Sequence, residues 1–335
     1  MKHTLPYPID PAAMPAFTLR SGAKIPAIGF GTFGSDHVTH EEMANAVETA
    51  IRLGCRHIDC AAVYGNEKEI GATLHKLFRE GVVTREEMFI TSKVWNDHHG
   101  FGDVLLSCAQ SLKDLQLDYL DLLLIHWPFP NFHPPKCTVA SRAANAKPYI
   151  HADFMKTYRQ LERVAQMGLT RHIGVSNVTV KKLELILRDC RLQPDVNEME
   201  LHPHFQQPAL YEFSRSRGIT NIGYCPLGSP NRPDRDKTAD DTIDMEDPVI
   251  VEIACNHNIH PAGVCLKWAV QRGHCAIPTS RSINNIAANL HAACSAPLTA
   301  DEMAAIAEID RECRLIKGQV FLWPEAKDWT DLWDE

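Results

Sequence analysis

Between residues 27 and 290, eight short apolar runs alternate with longer amphipathic segments, and this alternation limits the chain to a parallel α/β architecture. The runs are "AIGF", "HID", "MFITSK", "LDLLLIH", "HIGVS", "VNEMEL", "TNIGY" and "CAIP", and helical periodicity marks 40–53, 67–79, 102–115, 153–167, 179–188, 207–217, 261–271 and 282–290. Parallel strands need crossovers, and eight strand–helix units predict a closed (β/α)8 TIM barrel in place of an open sheet. A hairpin, "FTLRSGAKIPAI" with Ser21 and Gly22 at its turn, precedes the first unit. Three polar stretches, 128–151, 226–246 and the tail 311–335, are too long for simple connections. The first two follow strands four and seven, so they belong to the C-terminal rim, where long loops act as binding walls. No repeat or low-complexity linker divides the chain, so 1–335 reads as one barrel domain.

Charge and cysteine usage narrow the partners. The net charge is -8 with no block of Lys and Arg, which argues against nucleic acid or an acidic membrane surface. No apolar run approaches the roughly 20 residues of a membrane span. The opening "MKHTLPYPIDPAAMPAF" lacks the apolar core of a secretory signal. Eleven cysteines lie scattered with no C-x-x-C, a usage suited to a reducing compartment, and the expected location is cytoplasmic.

In a parallel barrel all strand C-termini open on one face, so polar residues there converge. Asp59 ends strand two, Lys93 strand three and His126 strand four, each about one βα unit from the last, and Tyr64 follows Asp59 closely. A cationic Lys93 would favour tyrosinate and lower the pKa of Tyr64. Asp59 would hold Lys93 charged, and His126 could hydrogen-bond a carbonyl oxygen set against the phenol. That is a proton donor aimed at a polarised C=O. The plainer alternative is a structural Asp59–Lys93 ion pair beside a core histidine.

These residues lie in segments that together resemble the aldo-keto reductase family: "GFGTF", "HIDCAAVYGNEKEIG", "FITSKVW", "LDLLLIHWP", "HIGVSN", "VNEMELHP", "YCPLGSP" and "AIPTSRSINNIAANL". The resemblance implies a catalytic tetrad at Asp59, Tyr64, Lys93 and His126, with hydride passing between a nicotinamide cofactor and a carbonyl carbon while Tyr64 supplies the proton. It implies an NAD(P)-dependent alcohol dehydrogenase or aldehyde reductase that acts reversibly on aldehydes, ketones or open-chain sugars, with a monomer favoured. Ser176, Asn177 and Glu198 would contact the carboxamide, and Tyr224 would stack on the nicotinamide. Gly31, Thr32 and Asp59 would lie beneath it, Leu227 and Ser229 over the pyrophosphate, and Ser280, Arg281 and Asn289 at the adenosine end. Phe33 and Trp127 would wall the substrate pocket beside Tyr64 and His126.

Two departures touch the cofactor. Where the family commonly has Gln, this chain has Glu198; if ionised, it would stabilise the cationic oxidised nicotinamide. The Lys and Arg that hold the adenosine 2'-phosphate are Thr279 and Asn285, leaving Arg281 as the nearby cation. The resemblance favours NADP(H), with NAD(H) or dual use as the alternatives.

Other readings compete. Gly29, Gly31 and Gly34 spell the G-x-G-x-x-G of a Rossmann dehydrogenase, although Asp59 lies too far along and the next helix is expected near His40. A barrel that binds nicotinamide as a catalytically silent sensor or subunit is the second alternative. His133, Lys136, Arg142, Lys147 and His151 in the first insertion would suit an anion. The pairs His98-His99 and His202/His204 lack metal-site spacing, and no metal is expected.

Overall fold

The computed structural model describes residues 7–132 and 143–334. Two short strands, β1 (Ala16–Thr18) and β2 (Lys24–Pro26), form the antiparallel hairpin. Eight parallel strands follow: β3 (Phe30–Gly31), β4 (His57–Asp59), β5 (Phe89–Val94), β6 (Leu120–Ile125), β7 (Thr170–Ser176), β8 (Val196–Glu200), β9 (Thr220–Tyr224) and β10 (Cys275–Ala276). They pair in sequence order, and β10 meets the start of β3 through an Ile28–Ala276 bridge, with Gly29 N–H donating to the Ala276 carbonyl at 2.9 Å and Gly31 N–H to Pro278 at 3.1 Å. The sheet thereby closes on itself.

Glycine is required at that seam. A Cβ on Gly29 would fall 2.5 Å from the His57 ring, and one on Gly31 would fall 2.8 Å from Thr279 Oγ1 and 2.9 Å from the Ile277 carbonyl. Only a single 3-10 turn, Ser35–His37, follows Gly34 directly; the next α-helix, α1 (His40–Arg52), begins six residues beyond Gly34 and is capped by Thr39 and Glu42 in a reciprocal box. The three glycines therefore serve barrel closure and a rim turn, and the Rossmann reading falls with the closed sheet.

Helices α2 (Glu67–Arg79), α3 (Asp103–Leu115), α4 (His151–Gln166), α5 (Val180–Asp189) and α6 (Pro208–Ser216) return each chain crossing to the barrel floor. Between β9 and β10 stand two helices, α7 (Pro248–His257) and α8 (Pro261–Arg272), where the sequence reading expected one. Asp247 caps α7, accepting from Val249 N–H, and Pro248 opens it, a start signal that is legible in the sequence. After α9 (Ile283–Cys294) comes α10 (Ala300–Ala307), also beyond the expected set and started by a Thr299/Glu302 box.

Side-chain parity sets what the barrel encloses. Along a strand, residues two apart share a face. Phe89, Leu122, Leu124, Val196, Ile222 and Cys275 pack together inside the barrel, above the hairpin residues Leu19 and Ile25. Their neighbours Ile58, Ile90, Leu123 and Met199 face outward into the layer shared with the helices. Asp59, Lys93, His126, Glu198 and Tyr224 all have the inward parity. A third apolar group sits on the C-terminal rim, where the tail lays Val320, Phe321, Leu322 and Trp333 against Trp95, Trp127 and Phe129. Among the described residues no helix is long and apolar enough to cross a membrane.

Candidate active site

Lys93 stands at the centre of the inward-facing polar group and is fully buried. Its ammonium donates to Asp59 Oδ2 at 2.5 Å and to the Cys60 carbonyl at 3.0 Å, and lies 3.4 Å from Glu198 Oε1 across the barrel. Burial alone would lower the Lys93 pKa, but Asp59 and Glu198 outweigh it and hold the side chain cationic. The same ammonium lies 5.5 Å from the centre of the Tyr64 ring. Tyr64 itself comes from a short 3-10 turn, Ala62–Tyr64, just past β4. Its ring packs on Phe33 at 5.2 Å and meets the His126 ring edge-on at 5.9 Å. The four residues of the expected tetrad are thus brought together.

One expectation is corrected. Burial pushes the Tyr64 phenol upward, with Asp59 and Glu198 adding to it, and the opposing pull of Lys93 does not offset them. Tyr64 is therefore held firmly as a phenol. For Glu198 the condition of ionisation is not met at neutral pH: burial and the neighbouring Asp59 push its carboxyl up to about 8 against the pull of Lys93.

Asp59, Tyr64, His126 and Glu198, with Lys93 buried beneath them, form the floor of a cavity of about 1930 Å³ lined from Phe33 and Trp127 to Asn289 and His291. It exceeds the usual range for one small ligand, roughly 300–1000 Å³, and leaves room for a dinucleotide with a substrate beside it. Gly31, Thr32, Asn177, Glu198 and Tyr224 line its middle. The Thr32 hydroxyl donates to the Asp59 carbonyl at 2.8 Å, fixing the turn. Tyr224 donates to Asn177 Oδ1 at 2.6 Å, and Asn177 Nδ2 donates to the His126 carbonyl at 2.9 Å, tying β9, β7 and β6 at their tops. Ser176 sits behind this chain: its hydroxyl accepts from Asn177 Nδ2 at 3.1 Å, and it is absent from the cavity wall.

Leu227 and Ser229 line the cavity from the 226–246 loop, whose backbone turns through left-handed conformations at Cys225 and Ser229. Arg232 pairs with Asp241 within the loop, and Lys317 of the tail reaches the same carboxylate at 2.9 Å. Asp244 anchors the loop from below, accepting from His202 Nδ1 at 2.9 Å and His204 N–H at 2.8 Å. The His202/His204 pair is absorbed in this structural latch, and among the described residues no group of three metal-ligating side chains forms.

Ser280, Arg281, Asn285 and Asn289 line the far end. Arg281 is already paired with Glu42 at 2.9 Å, and Thr279 spends its hydroxyl on the Gly31 carbonyl at 2.7 Å. Of the proposed anion-binding insertion, His133, Lys136 and Arg142 lie outside the described residues, and His151 is bonded to Tyr149 and Asp189. Several wall residues escaped the sequence reading: Val63, Trp95, Ile316, Val320 and Phe321. Trp95 packs edge-on against His126 at 5.1 Å. It directly follows the Lys93 strand in the quoted "FITSKVW", so its neighbourhood was legible.

The model of the Aldo/keto reductase family matches residues 27–311. The chain belongs to the aldo/keto reductase family. It is 43% identical to an aldo/keto reductase of Synechocystis sp. over 324 residues, covering 96% of this chain and 97% of that one. It is 36% identical to the NAD(P)H-dependent D-xylose reductase of Pachysolen tannophilus over 309 residues, or 89% and 94% of the two chains. Among solved structures, a Bombyx mori aldo-keto reductase in complex with NADP superposes with a TM-score of 0.79 at 32% identity, covering 90% of this chain and 95% of that chain. Family membership supports NAD(P)H-dependent carbonyl reduction.

Proposed function

We propose that the protein reduces aldehydes and ketones to alcohols, reversibly, with NADP(H) as the favoured cofactor, NAD(H) as a possible substitute, and Tyr64 as the proton donor. The observation that carries this reading is a buried ammonium, Lys93, set between the Asp59 carboxylate and the Tyr64 ring, directly beneath the floor of a cavity large enough for a dinucleotide. A bound nicotinamide supplies the hydride. Tyr224 would offer its ring face to it, and Asn177 and Glu198 their polar groups to the carboxamide; a protonated Glu198 both donates and accepts, as the amide of Gln does.

The high Tyr64 pKa is compatible with this role. An alkoxide forming on the substrate is a far stronger base than a phenolate, so the proton moves downhill once hydride has arrived. Lys93 lowers the cost of the phenolate left behind, and Asp59 keeps Lys93 aimed and charged. His126, gripped by Tyr64 and Trp95, is placed to orient the carbonyl oxygen.

Phe33, Val63, Trp95, Trp127, Val320 and Phe321 give the substrate end an aromatic and aliphatic wall, which suits carbonyl compounds with an apolar body. Every described cysteine is a free thiol, which supports a cytoplasmic location, and we read 1–335 as one domain acting as a monomer. The test mixes protein, NADPH and nitrobenzaldehyde. Loss of nicotinamide absorbance is expected; cofactor binding without that loss would favour a silent sensor instead.

A further inference from the structure

Inside the barrel one cation faces two carboxyl groups. Asp59 and Glu198 are 1% and 2% exposed, and both lie against the fully buried Lys93 ammonium, at 2.5 and 3.4 Å. The remaining oxygens, Asp59 Oδ1 and Glu198 Oε2, are buried and accept no hydrogen bond. Two ionised carboxylates can only accept, so neither can satisfy the other. A single proton changes that, because a carboxylic acid donates, and like charges crowded in a dry site do not both ionise.

We propose that Glu198 and Asp59 share one proton beside Lys93 at neutral pH, and that its loss in mild alkali turns the cavity floor negative and shifts preference from the reduced toward the oxidised nicotinamide. The cofactor half rests on the function proposed above; the shared proton does not.

The surroundings assign the proton to Glu198. Burial raises both acids, but the Lys93 ammonium lies closer to Asp59, at 2.5 Å against 3.4 Å, so the proton falls to Glu198. The titratable groups that act on Glu198 are Asp59 from β4, Tyr64 from the turn after it, Lys93 from β5, Tyr224 from β9 and Cys275 from β10, and His126, past the end of β6, lines the same cavity. Burial pushes Tyr64, Tyr224 and Cys275 upward, so all three stay neutral through this range. His57, lower on β4, is pushed down to about 3 by burial and Lys93 and is neutral too. The Asp59–Lys93–Glu198 cluster is therefore neutral with Glu198 protonated and carries one negative charge without that proton.

That charge discriminates between the two cofactor states. The oxidised nicotinamide ring is a cation and the reduced ring is neutral, so a new carboxylate beside it favours the former. The phosphates are common to both states and cancel in any ratio of affinities. By reciprocity, the oxidised cofactor draws the proton off Glu198 at lower pH than the reduced one does.

Titrating tryptophan fluorescence with NADP+ and with NADPH, near pH 6.5 and near pH 9.5, tests the cofactor half. The ratio of the NADP+ Kd to the NADPH Kd is expected to fall roughly tenfold in the parent as pH rises, and to stay flat in Glu198→Gln. A ratio that is flat in the parent, or that moves equally in both proteins, overturns it. Infrared difference spectra of the parent without cofactor test the shared proton. A carboxylic-acid carbonyl band is expected at the lower pH and lost at the higher one, and should be missing from Glu198→Gln. Absence of that band in the parent refutes the shared proton whatever the variant does. A titrating band with no binding of either nucleotide would sink the nicotinamide reading, and with it the cofactor half, and would leave the proton-sharing established.

Discussion

Two buried clusters in this barrel each set one cation between two carboxyl groups, and they behave differently. Beneath the cavity floor, Lys93 lies between Asp59 and Glu198; at the top of β8, His202 lies between Glu200 at 3.1 Å and Asp244 at 2.9 Å. Glu200 also receives the backbone N–H groups of Leu315 and Ile316, at 2.7 and 2.9 Å, and Asp244 that of His204. The His202 charge and its hydrogen bond, with His204 N–H adding to them, keep Asp244 below the ordinary carboxylate range despite burial, and Asp244 and Glu200 push His202 up to about 10 against its own burial. Around Lys93 no such donors are supplied, and Glu198 keeps its proton. A buried acid ionises where a cation and backbone donors both serve it, as at Asp244, and keeps its proton where it shares one cation with a closer carboxylate, as at Glu198. One cluster is a latch that binds the tail and the 226–246 loop to the barrel; the other retains an unsatisfied, titratable floor.

Removing the cation should separate the two roles most sharply. Lys93→Met is expected to lower kcat for nitrobenzaldehyde by about 10²–10⁴-fold in protein that still folds by circular dichroism. Parent-like turnover would make the floor cluster structural, like the other. Asp244→Asn should act on stability instead, costing about 3–5 kcal/mol in urea unfolding because it breaks a buried pair. Its folded fraction should still turn over substrate.

The pH dependence of stability sharpens the contrast further. Folded Glu198 retains its proton to about 8, whereas the unfolded chain releases it near the ordinary value of 4.5, so the parent loses stability as pH rises through that window. The Tm advantage of Glu198→Gln over the parent should therefore widen from about pH 5 to about pH 8. For His202, raised from 6.5 to about 10, the contribution is full below 6.5 and is lost only as pH climbs through about 10. The smallest effect is expected at the exposed adenosine end. Glu42→Gln should free Arg281 and lower the NADPH KM by up to about fivefold, with little change for NADH, since exposed ion pairs are weak. Arg281→Ala should move the NADPH KM the other way.

Much of this site was legible because barrel geometry converts strand-end position into proximity. Asp59, Lys93 and His126 needed only the order of the strands. Glu198 was noticed for its departure from the family, but not for its contact with Lys93. Its inward parity, shared with Val196, was available; the reach of Lys93 across the barrel was not, because depth and side-chain direction are tertiary quantities. The Tyr64 acidity was misjudged for a similar reason: the neighbouring cation is visible in sequence, while the enclosure that outweighs it is made by Phe33, His126 and the cavity walls. Phe321 and Val320 come from an aperiodic tail, and only the packed rim shows that they wall the pocket. Arg281 was found, but its carboxylate partner lies 239 residues away.

The most direct measurement is hydride transfer from C4-deuterated NADPH to nitrobenzaldehyde in a single turnover, comparing the parent with Tyr64→Phe. We expect deuterium on the alcohol carbon from the parent, and from the variant unchanged NADPH binding with transfer slowed by about 10²–10⁴-fold. Transfer at the parent rate without the phenol would contradict the role assigned to Tyr64 and to the ammonium beside it.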